Sequence, residues 1–408
     1  MHRFRLLVLP LLAVGLLLAG CDSNGSNGGD DDPASAFEYP STTYGEETVV
    51  NLIAFDLAVK TELADQNSEQ TLLNLYTGNA DDAAIRAAQG LDTQGQGVYG
   101  DIAAGVDVSA LVSTQNLIQS SQLEMGDSPN PGSAITTNEL ITYFLGRAGS
   151  EDLVRTDNGF VLNQFAEKML LGTPIYGEGA VILSNFANGS VSGNAAEQWD
   201  AAFGYFGFPR SLEPFLDYTN GDEGLAAGAA ARDVDGNGSV DLTSEYIHTW
   251  ASYAIERAAA AENNGASNDF ARDAFNALVA GRQAIANGDD PSTQARIALD
   301  AWEATVAVNV IHYNNSMLGD LANLDPDAQV AEGDISEDAW GESKAFAWGL
   351  QFYSDQLSSA QLNTLHDRIG NKPPYGELTR SEYLEDLNEA NALLQQAYGF
   401  NASNVEAW

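Results

Sequence analysis

Apolar positions recur at helical spacing almost continuously from Phe37 onward. Leu52, Phe55, Val59 and Leu63 follow one another at three and four residues, which places them on one face of a helix. Thr43 and Glu46 stand ahead of them as a capping box, a pair that satisfies backbone N–H groups left open by the first turn. The same spacing predicts helices near 68–77, 108–123, 137–147, 159–171 and 194–205. In the second half it predicts them near 243–262, 267–286, 291–315, 336–355 and 379–398. The stretch 291–315 has two apolar stripes, Ile297, Ala301, Ala304, Val308 and Ile311 on one and Leu299, Trp302, Val306 and Val310 on the other. A helix apolar on two faces belongs at the centre of a bundle. The last helix opens with a second capping box, Thr379 and Glu382, and meets Gly399 at its end. Runs of alternating β-branched residues are absent, so the fold class expected is all-α.

The chain divides unevenly. His2, Arg3 and Arg5 precede an apolar run from Leu6 to Leu18, the composition of a signal peptide rather than a spanning helix. Leu18-Ala19-Gly20-Cys21 resembles a bacterial lipobox, in which cleavage before the cysteine frees it for a diacylglycerol. Cys21 is the single cysteine of the chain and falls where that motif needs it. A membrane partner held through lipidated Cys21 is therefore expected, with the chain exported to the cell envelope. Residues 22–36 read DSNGSNGGDDDPASA and bury nothing, a flexible tether. A repeated pattern, Ala187-Asn188-Gly189 before Trp199-Asp200-Ala201 and Ala286-Asn287-Gly288 before Trp302-Glu303-Ala304, suggests a duplicated bundle. The expected parts are a signal peptide 1–20, a tether 21–36, a first helical bundle 37–206, a connecting segment 207–242 and a second helical bundle 243–408.

Charge alters this picture. The chain carries 58 acidic and 17 basic side chains, for a net charge of −41. Residues 1–20 hold two arginines and no acid, so the remainder stands at −43, with Lys60, Lys168, Lys344 and Lys372 as its lysines. Phosphate backbones would be repelled, which excludes nucleic acid as a partner. Because the acids are spread along the chain rather than clustered, they read as a surface adapted to high salt, where the Debye length falls to about 3 Å. One cysteine excludes internal disulfides and cysteine-based zinc sites.

Candidate chemistry is sparse. Zinc-helix, nucleophile-elbow and phosphate-loop motifs are all missing, and no catalytic residue is expected. The one distinct motif is Asp233-Val234-Asp235-Gly236-Asn237-Gly238-Ser239-Val240-Asp241, which matches the first nine positions of an EF-hand loop. Its expected calcium ligands are Asp233, Asp235, Asn237, the backbone of Ser239, Asp241 and Glu245. The twelfth position is Ser244, and the carboxylate normally found there comes one residue late as Glu245. Either the loop is not a standard EF-hand or Glu245 reaches inward from an altered turn. A second set, Glu245 and His248 at i and i+3 of one predicted helix, joins Glu303 and His312 as expected ligands for iron or another transition metal. His312 ends an apolar helix, while His366, beside Asp367 and Arg368, reads as surface. Phe203, Tyr205, Phe206 and Phe208 read as core packing.

Several of these stretches also carry a resemblance. Phe160–Leu183 (FVLNQFAEKMLLGTPIYGEGAVIL), Trp199–Pro209 (WDAAFGYFGFP), Asp241–Tyr246, the helix from Trp302-Glu303 to Ile311-His312-Tyr313, and Glu342–Leu350 resemble a family of uncharacterised bacterial lipoproteins allied to the imelysins. The resemblance spans residues 37–400 and implies two four-helix bundles on a lipid-anchored chain. Imelysins are linked to iron acquisition, and some were described as peptidases. Their Gly-x-His-x-x-Glu hallmark is replaced here by Gly207-Phe208-Pro209-Arg210-Ser211-Leu212-Glu213, with proline in the histidine place and Glu213 one position late. Three readings follow: a non-catalytic imelysin-like lipoprotein that binds a metal or a protein partner, a structural or adhesive envelope protein with a stabilising calcium, and an imelysin-type peptidase.

Overall fold

The computed structural model describes residues 36–38, 42–61, 68–125, 132–148, 155–156, 158–216, 230–263 and 268–408. The expected signal peptide 1–20, lipidated Cys21 and the tether 21–36, apart from Ala36, lie outside the described residues. The protein is all-α. Among the described residues β-structure is limited to isolated bridges such as Ala84–Val98 and Ala231–Tyr246. The helices run in the order α1 (Thr42–Thr61), α2 (Glu69–Tyr76), α3 (Val108–Leu111), α4 (Thr137–Ala148), α5 (Leu162–Leu170), α6 (Tyr176–Ala187), α7 (Ala195–Phe206) and α8 (Glu213–Leu216). After these come α9 (Thr249–Asn263), α10 (Phe270–Asn287), α11 (Ser292–Leu321), α12 (Glu337–Gly349), α13 (Ser359–Ile369), α14 (Arg380–Tyr398) and α15 (Ala402–Val405). None of them is long and apolar enough to cross a membrane.

Local chemistry sets most of these boundaries. The Asn194 side chain accepts from Ala196 N and Glu197 N at the start of α7, and Gly207 closes it at φ +88°. Thr379 and Glu382 cap α14 reciprocally, and Gly399 ends it in the left-handed region. Ser358 and Gln361 form the same box ahead of α13, a helix the apolar spacing did not predict. Between α5 and α6 the helix widens into a π turn over Leu171–Ile175, which contains Pro174. Proline has no N–H to donate, so the regular ladder breaks there and the chain absorbs an extra residue.

The predicted helix over 108–123 is not formed. Helix α3 ends at Leu111, Ser113 Oγ takes the N–H of Gln115, and Leu117 N pairs with Ile135 O at 2.9 Å. Serine side chains that accept local backbone N–H groups compete with helix continuation. Helix α9 begins at Thr249 rather than 243, because Glu245, Ile247 and His248 use their backbone groups on Arg232, Ala230 and Gly207.

Helix α11 lies at the centre and packs against α6, α9, α10, α12 and α14. Both of its predicted stripes are buried except Ile297, which is 45% exposed at the helix entrance. Residues 33–408 form one compact unit. A single cluster of buried apolar side chains runs from Phe37 to Trp408 and includes Phe203, Tyr205, Phe206 and Phe208. The two tryptophans of the sequence repeat are seated alike, each over a glycine of a neighbouring helix. A Cβ on Gly281 would lie 2.0 Å from the Trp199 ring, and one on Gly179 would lie 2.3 Å from Trp302. Helix α1 packs on α7 just as tightly. There a Cβ on Gly204 would come within 2.9 Å of Glu47, whose carboxylate is buried with Oε2 unbonded among the described residues.

Candidate functional site

The segment 233–245 folds into a closed loop held by its own acidic side chains. Gly236 and Gly238 sit at φ +73° and +96°, a region costly for residues with a Cβ, and they turn the chain back on itself. Asp233 Oδ1 and Oδ2 accept the N–H groups of Asn237 and Gly238 at 3.0 and 2.9 Å. Asp235 Oδ1 accepts Asn237 N at 2.9 Å, and Asn237 Oδ1 accepts Ser239 N at 2.9 Å.

Glu245 reaches into this loop despite its late position. The chain over 241–248 is a turn rather than a helix, so the rotation of about 100° that one helical residue would impose does not apply. Its Oε1 accepts Val234 N and Asp235 N at 2.8 and 3.0 Å, and Oε2 accepts Asp241 N at 2.9 Å. Asp233, Asp235 and Glu245 thereby bring one carboxylate oxygen each within 4.8 Å of one another. The two aspartates are exposed and Glu245 is buried. Three anionic oxygens so close repel one another and match the preference of a hard divalent cation.

Asp241 is not part of this group. Its carboxylate turns toward Gln96 Nε2, Thr243 N and Ser244 Oγ at 2.8, 2.9 and 2.8 Å. Burial would raise its pKa, but these hydrogen bonds outweigh burial and lower it. Asn237 lies beside the three carboxylates and donates Nδ2 to Asp235 Oδ2 at 2.9 Å. Ser239 gives its hydroxyl to Asn237 Oδ1 at 2.8 Å.

The second expected set, Glu245, His248, Glu303 and His312, does not come together. Among the described residues the one group of three or more close metal-ligand side chains is Asp233, Asp235 and Glu245. Glu245 and His248 share no helix face, since α9 starts after both. His248 is buried with Nε2 3.0 Å from Leu242 O, and burial holds its pKa down to about 4. Glu303 caps the turn after α12, accepting from Ser354 Oγ, from Asp355 N and Gln356 N at 3.1 and 3.3 Å, and from Tyr398 OH at 2.8 Å. Arg257 Nη1 approaches His312 Nδ1 at 3.1 Å, and burial together with that guanidinium lowers the histidine to about 3. His366 corrects a further expectation. It is buried, with its ring 5.8 Å from Trp348, because α12 covers the helix face that carries it.

The return segment of the loop leads directly into a cavity of about 280 Å³ lined in part by α1, α9 and the π turn. Phe55, Leu171, Tyr246, His248, Tyr253 and Tyr313 are among the residues that line it, with Glu167, Glu256 and Arg257 as its charged groups. Behind Glu167, buried Lys168 bridges two carboxylates, Glu167 Oε1 at 2.9 Å and Glu342 Oε1 at 3.2 Å. Burial alone would lower Lys168, but the two anions raise it well above its ordinary value.

Of these cavity residues the sequence singles out Phe55, as helix core, and His248, as a metal ligand, but not the cavity itself, since its walls come from segments about 260 residues apart. One signal was available. A chain that has kept four lysines after residue 20 buries two of them, Lys168 and Lys344, where a solvated surface cannot be their role. No family model, curated protein or solved structure matches the chain.

Proposed function

We propose that the protein is an exported, lipid-anchored envelope protein of imelysin-like type, non-catalytic, whose 233–245 loop binds calcium. The convergence of Asp233, Asp235 and Glu245 within 4.8 Å supports this reading. Binding would replace mutual repulsion of three carboxylates with coordination. The role it fits is structural. The same turn that carries Glu245 is tied to the rest of the fold by Arg210 N to Ser244 O at 2.9 Å and His248 N to Gly207 O at 2.8 Å, so an ion there would fix the entry of α9. With Asp241 turned away, the loop has fewer anionic ligands than a sensor EF-hand, which favours the weak extracellular range of affinity. The lipobox and apolar leader support the envelope location, and the acidic composition supports a high-salt setting. Iron acquisition and a protein partner rest on the imelysin resemblance alone. The alternative, a structural or adhesive envelope protein, shares the same calcium loop.

Calcium is expected to raise the melting temperature of the purified protein, and Asp233→Ala with Asp235→Ala to abolish that rise. Titration calorimetry without calcium heat, together with identical melting in chelator, would overturn the reading.

A further inference from the structure

The cavity beside the loop has a chemistry of its own, separate from calcium. We propose that it binds a small organic ammonium cation. At about 280 Å³ it holds roughly nine water volumes, which limits a ligand to about ten non-hydrogen atoms. Aromatic rings and carboxylates share its lining. Phe55, Tyr253 and Tyr313 supply rings, whose negative faces attract cations, and the Lys168 ammonium already stands 5.7 Å from the Tyr253 ring centre.

The charges lean the same way. Glu167 shares the Lys168 ammonium with buried Glu342, whose carboxyl is pushed up by burial, and the cavity lining itself carries two carboxylates, Glu167 and Glu256, against one cation, Arg257. Arg257 does not reverse the balance. Its Nε donates to Asn309 Oδ1 at 3.0 Å, its Nη1 meets His312, and its Nη2 lies 3.7 Å from Glu256. Glu256 is held loosely, with Ser252 Oγ at 3.2 Å as its other contact. Nearby His248 and His312 have depressed pKa values and add no positive charge at neutral pH. A bare metal ion is a poorer fit, because Glu167 and Glu256 belong to no close group of three ligand side chains among the described residues. An anion would face two carboxylates.

The test is titration calorimetry of the purified protein with choline, with its uncharged carbon analogue 3,3-dimethyl-1-butanol, and with acetate, at fixed salt. Choline is expected to bind once per chain, the alcohol and acetate not at all. Glu256→Gln and Tyr313→Leu are each expected to weaken choline at least tenfold. The proposal is overturned by an absence of choline heat, by alcohol binding as tight as choline, by a preference for acetate, or by unchanged choline affinity in folded Glu256→Gln. The comparison of choline with the alcohol uses the unaltered protein, so it decides even where a variant fails to fold. It is also distinguishable from the calcium reading, because choline against its alcohol and calcium against chelator are separate titrations.

Discussion

Glu47 offers a quantitative test of how the α1–α7 contact is built. It is 7% exposed on the face of α1 that meets Gly204, and burial pushes its carboxyl up from 4.5 to about 8. The unfolded chain ionises this group near pH 4.5, whereas the folded chain keeps the proton until about pH 8. Because the folded pKa is raised, the native state is favoured below pH 4.5, and that contribution is lost as pH rises toward 8. The loss proceeds at about 1.4 kcal/mol per pH unit, to a total of about 5 kcal/mol. Glu47→Gln keeps the shape and removes the titration. Measured by urea unfolding at constant molar salt, the stability of the variant relative to the parent should be about 5 kcal/mol more favourable at pH 9 than at pH 4.5, and about 3 kcal/mol more at pH 7. A relative stability that stays constant within about 1 kcal/mol across that range would refute a buried, protonated Glu47. A trend of opposite sign would do so more strongly.

Two further substitutions probe the core. Burial lowers Lys344 to about 7, so the unfolded chain holds the extra proton between that pH and 10.5. Parent stability should therefore climb over this window, and Lys344→Met should exceed the parent at pH 7 by up to about 5 kcal/mol, less roughly 1 kcal/mol for the lost bond to His366 O, with the gap closing by pH 10.5. Gly281→Ala should destabilise despite a helix-propensity gain of about 1 kcal/mol, because its Cβ would enter the buried Trp199 ring. A net loss of about 1–3 kcal/mol by thermal unfolding is expected.

What could be read from the sequence was mostly what neighbours in the chain decide. The start of α14 follows from Thr379 and Glu382, and its end from Gly399. The burial of α11 follows from two apolar stripes, though Ile297 shows that a stripe cannot reveal where the covering helix stops. Asp233 and Asp235 were legible because an Asx-rich loop is closed by its own side chains. Glu245 was legible only as a residue out of register. Its inward reach depends on backbone pairing of Arg232, Ala230 and Gly207, which holds 245–248 out of a helix. His366 was misread for the same reason, since Asp367 and Arg368 give no hint that Trp348 arrives over its ring.

The position of α11 also constrains how the chain can acquire its structure. Its jacket draws on α6 from one side of the sequence and on α12 and α14 from the other. The neighbouring α10 and α9 cover part of it, but until α6, α12 and α14 have arrived, a thirty-residue helix with Trp302, Val306, Val308 and Val310 fully enclosed in the finished protein stays partly open. Neither half is then expected to fold as an autonomous unit. A fragment ending before Ser292 lacks the central post, and one starting after Phe206 exposes the surface that α6 covers. Both should be sticky, proteolysed species rather than miniature bundles. Any effort to dissect the molecule has to work by point changes in the whole chain.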